Sequence, residues 1–149
     1  MLLKEVYTPE VVCCGAHTRV LQAAQLMRNR HVGDLVVVGD PQDDRVPLGI
    51  VTDRDLVVEV LGNGLDPATI TLGSLMHRPV VIANENEDTT TVVARMREHG
   101  VRRVPVVDRQ GEIVGIITLN DLLRVLVEEA DGLLQIMAKG QNDERRMRR

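Results

Sequence analysis

The sequence predicts an α/β fold of the α+β kind: two βαββα-like repeats related by a pseudo-twofold axis, with small, mostly buried sheets flanked by helices. Three observations lead to this fold class. Two stretches of the chain match each other, each stretch combines short apolar runs with a helical periodicity, and turns rich in Gly, Pro and Asp separate the runs. A unit of this size cannot cover its own sheet, so the two copies should face each other over a shared cleft.

The repeat is visible in the residues themselves. Gly-Ile-Val-Thr-Asp-Arg-Asp-Leu at 49–56 matches Gly-Ile-Ile-Thr-Leu-Asn-Asp-Leu at 115–122, an offset of 66 (115 minus 49). Upstream, residues 27–38 match residues 96–107 with an offset of 69 (96 minus 27). The offsets differ because the turn between the last two strands is longer in the first copy. A surface turn rich in Gly, Pro and Asp tolerates such a length change.

Each copy begins with a strand and a helix. Short apolar runs at residues 11–14 and 80–83 predict the first strand of each repeat. The segments that follow have apolar residues at helical spacing, which predicts one buried face in each helix. These residues are Val20, Ala23, Ala24 and Met27 in the first copy and Val92, Val93 and Met96 in the second.

A hairpin and a second helix complete each copy. Apolar runs predict two antiparallel strand pairs, residues 35–38 with 48–51 and residues 104–107 with 113–117. Because these strands are apolar on both faces, both faces should be buried. A second helix should begin at Asp53 in the first copy and at Leu119 in the second.

The repeats divide the chain into residues 1–66, which include the N-terminal segment, and residues 67–138. A basic tail, residues 139–149, is predicted to be disordered. The final helix should run from Leu119 to about Ala138, which is longer than the repeat requires. Its apolar stripe extends beyond the body of the repeat and predicts a homodimer contact. Packing of the same stripe against the N-terminal segment is the alternative.

Charge and cysteine content argue against several function classes. The net charge is −4 and the isoelectric point about 5.5, which disfavours a general nucleic-acid or anionic-membrane surface. No apolar run approaches the roughly 20 residues of a membrane span. Cys13 and Cys14 are adjacent and poorly placed to bridge each other, so a reducing cytoplasm is the simplest compartment. We therefore expect a cytoplasmic protein that binds neither nucleic acid nor membrane.

Aromatic residues are almost absent from the chain, and its histidines are spread along the sequence. The chain has no Trp, no Phe and one tyrosine, Tyr7, so a planar ligand would have to lie between aliphatic walls. The four histidines lack the spacing of metal ligands, and no nucleophile can be paired with a base. We expect no metal site, no catalytic residue and no enzyme activity.

A repeated Thr-x-x-Asp motif carries most of the chemical information. It places Thr52 and Thr118 where a strand meets a helix, with Asp55 and Asp121 in the first turn of that helix. Taken alone, the motif predicts a capping box, in which the Thr hydroxyl and the acidic side chain satisfy free N–H groups at the helix start. A duplicated fold duplicates its caps, so the repetition by itself does not indicate a ligand.

The segments around this motif resemble a known family. Residues 32–38, 49–56, 101–108 and 115–122 are together typical of a CBS-domain pair, or Bateman module, of the stand-alone type found in bacteria and archaea. The resemblance implies tandem CBS domains that bind an adenosine nucleotide between them. In this family the Asp of the motif holds the ribose hydroxyls and the Thr contacts ribose or phosphate. A carboxylate suits that role because it accepts charge-assisted hydrogen bonds from two vicinal hydroxyls.

The resemblance also implies a place for the adenine. In the family it lies between aliphatic residues and main-chain groups of the first strand, which here brings Cys14, His17 and Ile82 near the ligand. The alternative interpretation is structural: Cys14 would be a small buried side chain, and His17 a histidine in a surface loop.

A basic pair, Arg102 and Arg103, is the expected phosphate contact. In similar proteins a basic pair at this position binds the phosphates of a nucleotide whose ribose lies on the opposite repeat, here that of Thr52 and Asp55. A solvated charge pair is the alternative. The first copy has Gly33 and Asp34 at the matching positions. A carboxylate there would repel phosphate, so the second site should be empty, take an uncharged adenosyl group or depend on a cation.

The nucleotide site and the absence of catalytic residues that we expect together predict one function. The chain should be a regulatory module that senses AMP, ADP or ATP in the cleft between its repeats and modulates a separate enzyme or transporter. It should require no other cofactor. The alternative is a protein-interaction or dimerisation scaffold without a bound nucleotide.

Overall fold

The computed structural model describes residues 1–77 and 79–148 and contains two small sheets. Each has three strands: β1 (Cys13–Gly15), β2 (Asp34–Asp40) and β3 (Asp44–Thr52), then β4 (Ala83–Asn84), β5 (Arg103–Val107) and β6 (Ile113–Thr118). In both sheets the first strand runs parallel to the middle strand and the third runs antiparallel to it. The predicted fold of two α/β repeats with small sheets is confirmed.

Helices flank both sheets. They are α1 (Val20–Arg30), α2 (Asp53–Asp55), α3 (Leu72–Leu75), α4 (Thr89–His99) and α5 (Leu119–Met147). A wider π-helical segment, Leu56–Leu61, continues α2, and a 3-10 turn covers Leu3–Glu5. The second helices begin at Asp53 and Leu119, as the sequence predicts.

Both predicted hairpins are present, but a bulge in the first pairs Val38 with Pro47 and leaves Leu48, which was predicted to be buried, exposed. Leu35 pairs with Val51 in the first, and Val104 pairs with Ile117 in the second. Residues 35–38 of β2 are fully buried because the strand is covered on both faces. Alternate residues point to opposite faces, so one set packs under α1 while Val36 and Val38 pack against Ile113 of the other repeat.

The buried faces of α1 and α4 are narrower than predicted. Val20, Ala23 and Met27 are buried on α1, and Val92 and Met96 on α4. Ala24 and Val93, which the sequence assigns to these faces, are exposed. Each helix touches its small sheet along a single row of positions three or four residues apart, so the neighbouring apolar residues remain outside the contact.

Segments that precede each repeat pack on the opposite repeat. Leu3, near the N-terminus, is buried in the core of the second repeat, whereas Leu72 of α3 is buried in the core of the first. Backbone bonds fix both segments: the Thr8 N–H donates to the Ile116 carbonyl at 2.9 Å, and the Val20 N–H donates to the Ile70 carbonyl at 2.8 Å. The segment before each repeat therefore packs on the other repeat.

The long helix α5 differs from the predicted C-terminus. It continues to Met147 instead of ending near Ala138, so residues predicted to be a disordered tail are helical. Every described residue from Leu126 to Arg148 is exposed, and no packing on the repeats holds this part. Its Ala, Lys, Gln, Glu, Arg and Met residues are strong helix formers, which accounts for the continuation. In the described residues, no helix is both long and apolar enough to cross a membrane.

Candidate functional site

Both Thr-x-x-Asp motifs form the predicted capping boxes. In the first repeat the Thr52 N–H donates to Asp55 Oδ2 at 2.8 Å, and the Asp55 N–H donates to the Thr52 hydroxyl oxygen at 3.3 Å. In the second repeat the corresponding distances for Thr118 and Asp121 are 2.9 and 3.2 Å. The structural role of the motif is therefore present in both copies. Any further role depends on what else surrounds each carboxylate.

The first capping box lies in a cleft between the repeats. The cleft has a volume of about 180 Å³. The end of β3 and the start of α2 line it from the first repeat. From the second repeat it is lined by the two residues that precede β5 and by the first residue of β5. The lining residues are Ile50, Thr52, Asp55, His77, Val101, Arg102 and Arg103. The structure thus brings together four residues that the sequence proposed for one site: Thr52, Asp55, Arg102 and Arg103.

The two oxygens of Asp55 have different partners. Oδ2 is held by the helix start, whereas Oδ1 lies 3.2 Å from Nε2 of His77. The Asp55 side chain is 15% exposed and that of His77 is 71% exposed. His77 was missed from the sequence, because it follows α3 and reaches the cleft only through the packing of that helix on the first repeat. No local pattern in the chain indicated this contact.

Arg103 reaches across the cleft to the first repeat. Its Nε lies 2.8 Å from Oδ2 of Asp34, and the two side chains are 41% and 22% exposed. Burial raises the pKa of Asp34 above its ordinary value, the Arg103 guanidinium lowers it, and the Asp53 carboxylate raises it further. Asp34, predicted as a repulsive neighbour of the second site, is thus the direct partner of a cleft arginine.

The second capping box is more fully occupied. Asp121 Oδ2 accepts from both the N–H and the hydroxyl of Thr118, and Oδ1 lies 2.9 Å from Nη2 of Arg124 on the same helix. Arg102 and Arg103 lie at the other box. Although the backbone of Arg103 pairs with Thr118, the side chains of the basic pair therefore line the first box and not the second.

Cys14, His17 and Ile82 are not among the residues that line the cleft. Cys14 is buried in the core beneath α1, and burial raises the pKa of its thiol to about 11. Because neighbours on a strand point to opposite faces, it is Cys13 that faces the packing between the sheets. His17 is exposed in a turn, and the carbonyl of the exposed Ile82 accepts from Arg95.

Metal-ligating side chains are not clustered in the part of the chain that the structure describes. Residues 1–77 and 79–148 contain no group of three or more His, Cys, Asp or Glu residues that could hold a metal ion. The chemistry of the cleft is therefore that of a carboxylate, a hydroxyl, an imidazole and two guanidinium groups. This set suits the binding of a polyol bearing anionic groups.

Comparison with known proteins agrees with the repeat. The sequence profile of the CBS domain matches residues 3–62 and 72–128. Hypoxic response protein 1 of Mycobacterium tuberculosis is 39% identical over 127 residues, which are 85% of this chain and 86% of that protein. The crystal structure of Hypoxic Response Protein I with two coordinated zinc ions superposes with a TM-score of 0.72 at 36% identity, covering 83% of this chain and 98% of that one.

Two further structures share the architecture. The CBS-domain pair of protein MJ0100, in complex with 5′-methylthioadenosine and S-adenosyl-L-methionine, gives a TM-score of 0.74 at 25% identity over 87% of this chain and 98% of that one. The hexameric CBS-CP12 protein from bloom-forming cyanobacteria gives a TM-score of 0.71 at 30% identity over 83% and 69% of the two chains. With two profile matches that together span most of its length, the chain belongs to the CBS-domain family and carries two consecutive copies of the domain.

Proposed function

We propose that the chain is a regulatory module that binds an adenosine nucleotide of the AMP, ADP or ATP class and has no catalysis of its own. One observation carries the proposal: Thr52 and Asp55 of the first repeat line the same cleft as Arg102 and Arg103 of the second. A ligand held by all four residues would contact both repeats at once.

The ribose would bind at Asp55. Its Oδ1 atom is engaged only by the largely exposed His77 among the described residues, and a contact of that kind is weak in water. Two vicinal hydroxyls could displace His77 and donate to the carboxylate, while Oδ2 continues to cap the helix. The capping role and the binding role of the motif are therefore compatible in the first repeat.

The phosphates would bind at the basic pair. Arg102 is exposed, and Arg103 needs only to exchange Asp34 for a phosphate oxygen. Guanidinium groups form bidentate, charge-assisted bonds with phosphate. Ile50 and Val101 supply the aliphatic walls for the base. The two arginines are the reason to favour AMP, ADP or ATP over an uncharged adenosyl compound.

The size of the cleft supports a role in signalling. Pockets for ligands of this size usually measure roughly 300–1,000 Å³, whereas this cleft measures about 180 Å³. A nucleotide bound here would displace His77 and extend beyond the cleft, so it would contact both repeats. A ligand that favours one relative orientation shifts the equilibrium between orientations, and with it the affinity for a partner. The partner would be a separate enzyme or transporter, reached in the cytoplasm.

The MJ0100 structure supports the ligand class. That CBS-domain pair is in complex with two adenosine-containing compounds. Its likeness to this chain supports an adenosine group as the common element, while the basic pair of this cleft supports the phosphates.

We propose further that two copies pair through α5. Leu126, Leu133 and Met137 are exposed on one stripe of this helix. They continue an apolar groove of about 540 Å³ between α4 and α5 that Val93 and Leu122 help to line. A second copy is the occupant that this face fits best, because the charges of the helix are complementary in an antiparallel pair. Residues 119–133 carry a net charge of −3 (four acidic residues and Arg124), and residues 134–147 a net charge of +1 (three basic residues with Asp143 and Glu144).

Isothermal titration with adenosine, AMP, ADP, ATP and S-adenosylmethionine tests the nucleotide proposal. We expect at least one phosphorylated ligand to bind. In thermal unfolding, that ligand at 100 times its Kd should raise the apparent free energy of unfolding by about 2.7 kcal/mol. Asp55→Asn should weaken binding, because the carboxylate charge is lost while a capping oxygen remains. Asp121→Asn is the matched control, since it makes the same change at the same motif away from the basic pair.

A scaffold without nucleotide is the second candidate. The observation that favours it is that both carboxylates already serve as helix caps. It predicts that no ligand of the panel binds and that Asp55→Asn and Asp121→Asn behave alike. Equal affinities of the two variants for a ligand that does bind would place its ribose elsewhere.

A further inference from the structure

The ion pair between Asp34 and Arg103 joins equivalent positions of the two repeats. Asp34 is the first residue of β2 and Arg103 the first residue of β5, and they are related by the same offset of 69 that relates the first half of each copy. In the sheets, Asp34 lies opposite Thr52 and Arg103 lies opposite Thr118. Each therefore stands beside the helix start of its own repeat, and the pair meets where the pseudo-twofold axis passes between the sheets.

This contact carries Arg103 away from its own helix start and toward the first one. Arg103 pairs across the ladder with Thr118, yet its guanidinium lines the cleft of Thr52 and Asp55. There its Nε lies 2.8 Å from Oδ2 of Asp34. The same carboxylate occupies an edge of the guanidinium that a phosphate would use.

We infer that Asp34 is a specificity-determining residue of the cleft, which competes with ligand phosphate for Arg103 and so lowers the affinity for phosphorylated adenosine ligands relative to uncharged ones. The inference rests on the proposed nucleotide function and concerns the same site. An anionic ligand must displace or repel Asp34 to reach Arg103, whereas adenosine can bind Asp55 with the ion pair intact.

Charged and uncharged ligands would leave the contact between the repeats in different states. Asp34 and Arg103 come from different repeats, so a phosphate that takes Arg103 removes a contact between the repeats. An uncharged adenosyl ligand leaves that contact in place. Burial already disfavours the charged form of Asp34 and raises its pKa, as does the nearby Asp53 carboxylate. A neutral Asn at this position should therefore be tolerated by the fold.

Titration of the full chain and its Asp34→Asn variant with adenosine and with AMP tests the inference. We expect Asp34→Asn to tighten AMP binding by roughly two- to fivefold, the range for releasing Arg103 from a partly exposed ion pair. Adenosine affinity should be unchanged. In an Arg103→Gln background, Asp34→Asn should bring no gain for AMP, because the residue for which Asp34 competes is absent.

Asp53→Asn is the matched control. It removes the same charge from the neighbourhood of Asp34 without touching Arg103, so it should leave the ratio of AMP to adenosine affinity near that of the wild type. An equal gain in Asp53→Asn would overturn the inference in favour of general electrostatics. AMP affinity unchanged in Asp34→Asn, with wild-type binding present, also overturns it and leaves the nucleotide function standing. Wild-type protein that binds neither of these ligands, nor ADP nor ATP, overturns the proposed function as well.

Discussion

Tyr7 packs directly against the backbone of Gly115, and this contact fixes the N-terminal segment on the second repeat. A β-carbon placed on Gly115 would collide with the Tyr7 ring and lie 2.5 Å from the Thr8 carbonyl oxygen. Met76 stands in the same relation to Gly49 in the first repeat, where a β-carbon would lie 2.8 Å from its Cβ. Both repeats therefore need glycine at the start of the Gly-x-x-Thr stretch. The segment that packs there, around Tyr7 in one case and Met76 in the other, leaves no room for a β-carbon.

Gly115→Ala should destabilise the protein by about 1–3 kcal/mol, the usual cost of overpacking a tight contact. The backbone carbonyl of Thr8 cannot rotate away as a flexible side chain could, so the N-terminal segment must move. Urea unfolding followed by circular dichroism measures the change in unfolding free energy. Gly132→Ala is the control, because nothing lies within 4 Å of the position on α5. It should gain up to about 1 kcal/mol from helix propensity. Equal stability of the two variants would contradict the contact.

Because of Asp88, the free energy of unfolding should fall as the pH is lowered into the acid range. Its carboxylate caps α4 through the Thr90 N–H at 2.9 Å and lies 3.0 Å from the Met1 amino group. Hydrogen bonds from the Thr90 hydroxyl and N–H, followed by the Met1 ammonium, lower the pKa of Asp88 to about 2. Because the folded-state pKa lies below the ordinary value, the ionised group stabilises the fold above about pH 4, and this contribution is lost as the pH falls through about 2.

Asp88→Asn tests this dependence, since Asn still caps the helix but carries no charge. The wild type should melt at a higher temperature than Asp88→Asn at pH 7, and the difference should close between about pH 4 and pH 2. A difference in melting temperature that stays constant over this range would show that the charge has no role.

Cys14 should be unreactive in the folded protein. With the pKa of its thiol raised to about 11 by burial, only about one molecule in a thousand is ionised at pH 8. In a Cys13→Ser variant, which keeps Cys14 as its single thiol, iodoacetamide should modify the unfolded protein much faster than the folded one. Similar rates in buffer and in urea would show that Cys14 is accessible, contrary to its place beneath α1.

The exposed stripe of α5 should mediate dimer formation. We expect light scattering to give the mass of a dimer for the wild type and of a monomer for Leu133→Glu, because a charge in the centre of an apolar interface is strongly unfavourable. Asn142→Glu adds the same charge on the opposite side of the helix and should remain a dimer. A monomeric wild type, or monomers of both variants, would contradict pairing through this stripe.

Local features of the fold could be predicted closely from the sequence. The turn residues and the continuous apolar runs specify the two hairpins, whose strands are joined by a short turn. The Thr-x-x-Asp motifs specify two helix starts, because their hydrogen bonds join residues three positions apart. The end of α5 was predicted wrongly: a polar composition that suggests disorder is also rich in helix formers. The structural interpretation of Cys14 as a small buried side chain is confirmed, since it lies in the core beneath α1.

The sequence by itself determined that the chain is a duplicated α/β unit of the CBS family with a capping box and a carboxylate at each second helix. Only the tertiary structure decided that Leu3 and Leu72 pack on opposite repeats, that His77 contacts Asp55, and that Arg103 pairs with Asp34. The physical reason is that a duplicated sequence encodes two equivalent surfaces but not the contacts between them. Those contacts form where the repeats meet: Leu3 and Leu72, 69 positions apart, pack into different cores, and Asp34 and Arg103, also 69 positions apart, pair with each other.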